Sequence, residues 1–200
     1  EDKHIIDALV GGATVAAVGA GTGIITYTSQ ALPSTRRKNI GGTSALALAD
    51  IIGAGLLLSK SGVPTGAGER YTLYAPGQET AIMSITQASS SDFTRNRIHE
   101  AGTANGIDWE GFRWIMIPDL VSIDGSTTLQ AMLPIASTSR TIIHFHRSAI
   151  GVSIGRAMGP PSISIRHDLQ SEPTQVRQAI MMGAVRIFEG GVVTNDVLEA

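Results

Sequence analysis

The chain has 200 residues, enough for one large domain or two small ones around a substantial core. Only 16% of them are charged, against roughly 25% in average soluble chains, and mean hydropathy is slightly positive at +0.14, so a lone monomer would tend to associate. A net charge of −2 argues against a domain whose task is to coat a polyanion, and the absence of cysteine excludes disulfides and thiolate chemistry.

In chain order, residues 2–10 read as a helix with Ile5, Ile6, Leu9 and Val10 on one face, stopped by Gly11-Gly12. The start at Glu1 is polar and carries no signal-peptide pattern, and the apolar stretch from Leu9 to Ile25 is broken by glycines, so no membrane span is expected. Ile24–Tyr27 is a candidate strand. Thr43 or Ser44 can cap a helix to about Lys60, with Leu46, Ala49, Ile52 and Leu56 at helical spacing, ended by Gly62 and Pro64. Tyr71–Tyr74 reads as a strand bounded by Pro76. Gln78–Ala88 reads as a helix presenting Ile82 and Ile85, and Ser89–Asp92 as a loop leading into a short turn through Ile98. Gly106–Ile117 reads as a hairpin turning at Trp109-Glu110-Gly111, with Phe112, Trp114 and Met116 on one face. Ser122–Ser139 is a polar excursion with an apolar island at Leu129–Ile135, of the kind that makes contacts.

The last third alternates. Thr141–His146 reads as a strand, Arg147–Ile154 as a short helix, Ser162–Asp168 as a strand and Gln175–Met182 as a helix with its start at Ser171–Thr174. Gly183–Thr194 reads as a closing hairpin. Strands interleaved with helices give an α+β class.

Several ordered words resemble a known family. His144–Gly155 (HFHRSAIGVSIG), Ser162–Asp168 (SISIRHD) and Met182–Val193 (MGAVRIFEGGVV) resemble the C-terminal region of tailed-phage major capsid proteins of the Hong Kong 97 fold. Asp2–Ala13, Gly62–Pro64 with Glu69–Pro76, and Gly111–Ile115 resemble upstream words of that family in the same order. The resemblance implies mixed sheets flanked by helices. It also implies a division into a peripheral segment and linker (1–42), an axial-like part (43–160) and a return to the peripheral part (161–200), with the Leu129–Ile135 island among the axial contacts. An N-terminal arm, an extended loop and a spine helix would precede these residues. The chain, which does not begin with Met, is expected to lack them, through proteolytic maturation or because it is a piece of a longer protein.

Candidate reactive groups are few. Gly19–Gly23 tempts a dinucleotide-loop reading, but the fingerprint needs glycine where Ile24 stands. Gly62–Gly68 lacks the Lys-Ser/Thr that would hold phosphate and magnesium, and reads as a turn. His144 and His146, two apart on a strand, point the same way and could supply two metal ligands, with His167-Asp168 as further donors; the other reading is a hydrogen-bonded pair at an interface that tunes assembly with pH. There is no G-x-S-x-G elbow and no paired-carboxylate pattern. Arg36-Arg37-Lys38 reads as a solvated loop, a salt-bridge strip to a neighbouring subunit or a contact to packaged DNA. Trp109, Phe112 and Trp114 read as core.

The resemblance therefore implies a structural subunit, not an enzyme, with no catalytic, cofactor or metal residues. It would self-assemble into pentamers and hexamers of an icosahedral phage head in the bacterial host cytoplasm, with scaffolding, decoration and portal proteins as further partners. It would enclose double-stranded DNA without sequence-specific binding, and it has no membrane partner. Lys3, Lys38 and Lys60 match no cross-linking motif, so no covalent cross-link is expected. The alternatives are an encapsulin-type shell, a metal-dependent enzyme using His144 and His146, and a monomeric glycine-rich binding module.

Overall fold

A computed structural model describes residues 2–11, 13–18, 25–42, 44–65, 68–85, 107–121, 129–136, 138–155, 164–166, 175–177 and 181–199. In chain order the elements are α1 (Asp2–Gly11), β1 (Ala13–Val18), β2 (Ile25–Gln30), β3 (Arg37–Lys38), α2 (Leu48–Lys60), β4 (Arg70–Tyr74) and α3 (Glu79–Met83). Then come β5 (Ile107–Trp109), β6 (Phe112–Met116), β7 (Leu120–Val121), β8 (Leu129–Gln130), β9 (Ile135–Ala136) and β10 (Ser139–His146). The last are β11 (Ile150–Gly155), β12 (Ser164–Arg166), β13 (Gln175–Arg177), β14 (Met181–Arg186) and β15 (Val192–Leu198). No helix among the described residues is long and apolar enough to cross a membrane.

A seven-stranded mixed sheet organises the chain, in the order β3-β15-β10-β4-β6-β5, with β9 paired to β10. It draws strands from all three of the segments expected above. β10 is antiparallel to β15 and β4, while β3 runs parallel to β15 and β6 parallel to β4. Both faces are covered, which is why strand residues are apolar at successive positions. On one face α2 and α3 bury Ile51, Ala54, Leu58 and Ile82 against Trp114, Ile142, Val193 and Val197. On the other, Ile6 and Leu9 of α1 pack with Leu73, Ile143, Val192, Met132 and Leu133. Neighbours in sequence such as Ile142 and Ile143 thus serve opposite cores, as the period of two requires.

The hairpin β5–β6 turns on Glu110 and Gly111, with φ of 51° and 75°, and Trp109 opposite Phe112, the geometry of a two-residue turn whose twist matches the strands. Asp50 orders the start of α2: its carboxylate accepts from the Ala47 N–H at 3.2 Å and its own N–H donates to the Ala47 carbonyl at 3.0 Å. The helix therefore begins at Leu48, four residues past the expected Ser44 cap.

Several expectations change. The Arg147–Ile154 segment is helical only as a 3-10 turn over Arg147–Ala149. Beyond it Ile150, Val152 and Ile154 alternate with Gly151 and Ser153 and pair with Met181–Arg186; β-branched residues at every second position favour the strand. Gln175–Met182 is no helix: Gln175–Arg177 pairs with Ser164–Arg166, and the next described residues belong to β14, so strand partners override helix propensity. Gly183–Thr194 is not a hairpin either, because β14 pairs with β11 whereas β15 pairs with β10 and β3. The candidate strand at Ile24–Tyr27 is β2, and it pairs with Ala13–Val18, for which no element was expected. The contact-making island is largely core, since Met132 and Leu133 are buried and Ile135 is exposed. The helix expected over Gln78–Ala88 is α3, which stops at Met83, with Ile82 and Ile85 buried. The expected loop at Ser89–Asp92, the turn through Ile98, the helix start at Ser171–Thr174 and the glycine run Gly19–Gly23 lie outside the described residues.

Candidate functional site

His144 lies on the α2 side of β10, fully buried, with its ring centroid 5.1 Å from Phe112 and 6.2 Å from Trp114. Its Nδ1 is 2.8 Å from the Thr72 hydroxyl on β4, and its Nε2 has no hydrogen-bond partner among the described residues. Burial, and then the Lys38 charge, push its pKa down to about 3, so the imidazole is neutral at pH 7. His146 is also buried. Its Nδ1 accepts from the Ser148 N–H at 3.2 Å and sits 2.7 Å from the Ser148 hydroxyl. Its Nε2 is 3.4 Å from Glu69, whose other oxygen pairs with Arg147 at 3.2 Å. The two rings share a strand face but not a site, because one is packed among core aromatics and the other caps a turn. No group of three or more His, Cys, Asp or Glu among the described residues is placed to hold a metal ion. His167-Asp168 lies outside them.

Two members of the basic run bond within the chain. Arg36 donates to the Leu57 carbonyl at 3.0 Å and the Gly190 carbonyl at 3.3 Å and to the Ser61 hydroxyl, so it covers acceptors left open at the end of α2. Arg37 pairs with the buried Asp196 at 3.4 Å. Arg36 is thus tied to this chain's own carbonyls and is not a solvated loop residue, whereas Arg37 stays exposed beside its ion pair. Trp109 and Trp114 pack at 5.5 Å, with the Trp114 indole N–H on the Trp109 carbonyl at 3.1 Å; this cluster is core, as expected.

The sequence reading missed three buried arginines. Arg70 donates to the Pro64, Gly55 and Val63 carbonyls and the Ser59 hydroxyl. Arg140 pairs with Asp119 at 2.7 Å and Glu199 at 3.1 Å. Arg186 donates to the Leu9 carbonyl at the end of α1 at 2.9 Å. A lone arginine within an apolar strand word is the signal that could have found them, because such a charge is retained only where partners satisfy it.

The chemistry on display is packing and internal hydrogen bonding, and the surface is where apolar side chains remain open. Ile52 and Leu56 on α2 are exposed, as are Ile187 and Phe188 after β14. The family model described as "Phage capsid protein" matches residues 1–199. The chain belongs to the phage capsid protein family.

Two solved structures share the fold. A chain from Mycobacterium phage Che8 matches with a TM-score of 0.51 at 16% identity, over 97% of this chain and 55% of that one. The capsid of Ralstonia phage GP4 matches at 0.56 and 13% identity, over 99% of this chain and 62% of that one. The SrpI encapsulin of Synechococcus elongatus matches at 0.44 and 13% identity, over 84% and 55%. This capsid family member therefore spans between half and two thirds of the length of those chains. No curated protein matches it. Its α+β architecture of mixed sheets flanked by helices is the Hong Kong 97-type capsid fold.

Proposed function

We propose that this chain is a structural major capsid subunit, without enzymatic activity, that assembles with copies of itself into the shell of a phage head. The observation that carries the reading is the family match over residues 1–199. The exposed apolar faces described above support it.

The shell is icosahedral, built of pentamers and hexamers, assembled in the bacterial host cytoplasm and carried in the virion around double-stranded DNA. The DNA is enclosed and not read in sequence, consistent with the net charge of −2. Scaffolding, decoration and portal proteins are the further partners. Residues 43–160 form the axial part and residues 1–42 and 161–200 the peripheral part. A standard interface buries roughly 1,600 Å², and association and ordering costs absorb most of the gain from its apolar area. Each contact is then modest, and the shell holds because every subunit has several neighbours and heterologous contacts close into rings.

Electron microscopy and light scattering of the purified full-length protein test this. Closed particles of uniform size are expected. A monodisperse single chain at high concentration and neutral pH refutes it.

A further inference from the structure

The outer face of α2 is apolar and open. Ala49, Ile52, Gly53 and Leu56 fall within an arc of about 100°, and Ile52 and Leu56 are 55% and 54% exposed. The opposite arc, Ile51, Ala54 and Leu58, packs on the sheet. A helix apolar all round is one whose two sides are both covered. Two lysines flank the open side. The Lys38 ammonium lies over Gly53, where a Cβ would overlap it, and Lys60 stands in the last turn. Neither ammonium has a hydrogen bond or ion pair with any described residue.

A complementary charge sits across the molecule. Glu110, at the exposed tip of the β5–β6 turn, also has no partner among the described residues. The Glu79 carboxylate also has no hydrogen bond or ion pair with a described residue, but it opens α3, where a helix N-terminus favours a carboxylate. Strand order places Lys38 on β3 at one edge of the sheet and Glu110 beside β5 at the other. Five strand spacings of about 4.8 Å separate those edges by roughly 24 Å, too far for the two charges to meet in one copy. Opposite charges left open at opposite edges suit a head-to-tail contact, and repeating such a contact by rotation closes a ring.

We infer that the outer face of α2, with Lys38 and Lys60, is one half of a contact between copies of this chain, and that the Glu110 turn of a second copy is the other half. The inference rests on the shell-subunit reading and names a surface for it. Gly111 beside Glu110 carries no side chain, so the turn can approach the helix closely. The two lysines fix its orientation on the apolar stripe.

Charge exchange in the full-length protein tests the contact. Lys38→Glu with Lys60→Glu, and separately Glu110→Lys, are each expected to lower the yield of sedimenting particles about tenfold or more, because like charges then meet. Combining all three is expected to restore the yield to within about threefold of the unaltered protein. Leu56→Asp, which attacks the apolar half, is expected to lower it as much as either reversal. Circular dichroism and melting of each unassembled variant confirm that the chain still folds. Particle yield unchanged by the separate reversals, or not recovered in the combination, overturns the contact. Reversals that spare the particle but remove a different bound protein assign the face elsewhere and also overturn it. If the unaltered protein forms no particles, the shell reading fails first, and that result needs no substitution to be seen.

Discussion

Lowering the pH from 7 to 5 should destabilise the chain through His144. Its folded-state pKa is near 3, whereas an unfolded histidine titrates near 6.5, so the unfolded chain binds the proton first. The contribution to stability is complete above about pH 6.5, falls as pH drops below it and levels off near pH 3. Each pH unit inside that window is worth about 1.4 kcal/mol, so the loss between pH 7 and pH 5 is about 2 kcal/mol. With a urea slope of about 2 kcal/mol per molar, that moves the unfolding midpoint by about 1 M. The groups around the ring do not change charge in this range: Thr72 beside Nδ1, Phe112 and Trp114 against its faces, Val193 opposite it on β15 and the Lys38 ammonium. Urea unfolding of the unassembled chain at pH 7, 6 and 5, for the unaltered protein and His144→Gln, isolates the effect, because every other titrating group is common to both. The unaltered chain should lose about 2 kcal/mol more than the variant. Parallel pH profiles would refute the argument that burial in the α2 core holds this imidazole neutral.

Leu58→Ala, at a fully buried position under α2, should cost about 2–5 kcal/mol, read as a lowered melting temperature. Gly42→Ala should be costly and Gly62→Ala mild: both have positive φ, but a Cβ at Gly42 overlaps the Ser139 side chain while one at Gly62 meets nothing within 4 Å. The Gly62 change should cost about 1 kcal/mol and the Gly42 change clearly more, measured by denaturant unfolding. Arg186→Ala should loosen α1 by removing the donor to the Leu9 carbonyl, at about 2 kcal/mol, with faster amide hydrogen exchange in residues 5–11 as the readout.

Local pattern revealed what local rules decide. The α1 stripe ending at Leu9, the turn at Glu110-Gly111 and the alternation of β10 are written in neighbouring residues, and each is where it was expected. What was misread depends on partners far along the chain. Ile150–Gly155 became a strand because Met181–Arg186 lies beside it, and no short window contains that fact. α2 shows a subtler failure. Its sequence carries two apolar stripes; Ala49, Ile52 and Leu56 matched the helical period as well as Ile51, Ala54 and Leu58 did, and only the sheet beneath decides which faces inward. The role of Arg36 was equally hidden, since nothing near it in sequence foretells the carbonyls of Leu57 and Gly190.

The position of β15 bears on the timing of synthesis. Val192–Leu198 lies between β3 and β10 and supplies Val193 and Val197 to the layer beneath α2. A polypeptide still on the ribosome without these residues has a gap in the middle of its main sheet, and Arg37–Lys38 has no strand beside it. Completion of this sheet waits until residues 192–198 have been made, a long-range pairing of the slow-folding kind. Until then the edges of β3 and β10 that β15 later covers stand open, and an open strand edge is a template for wrong pairing.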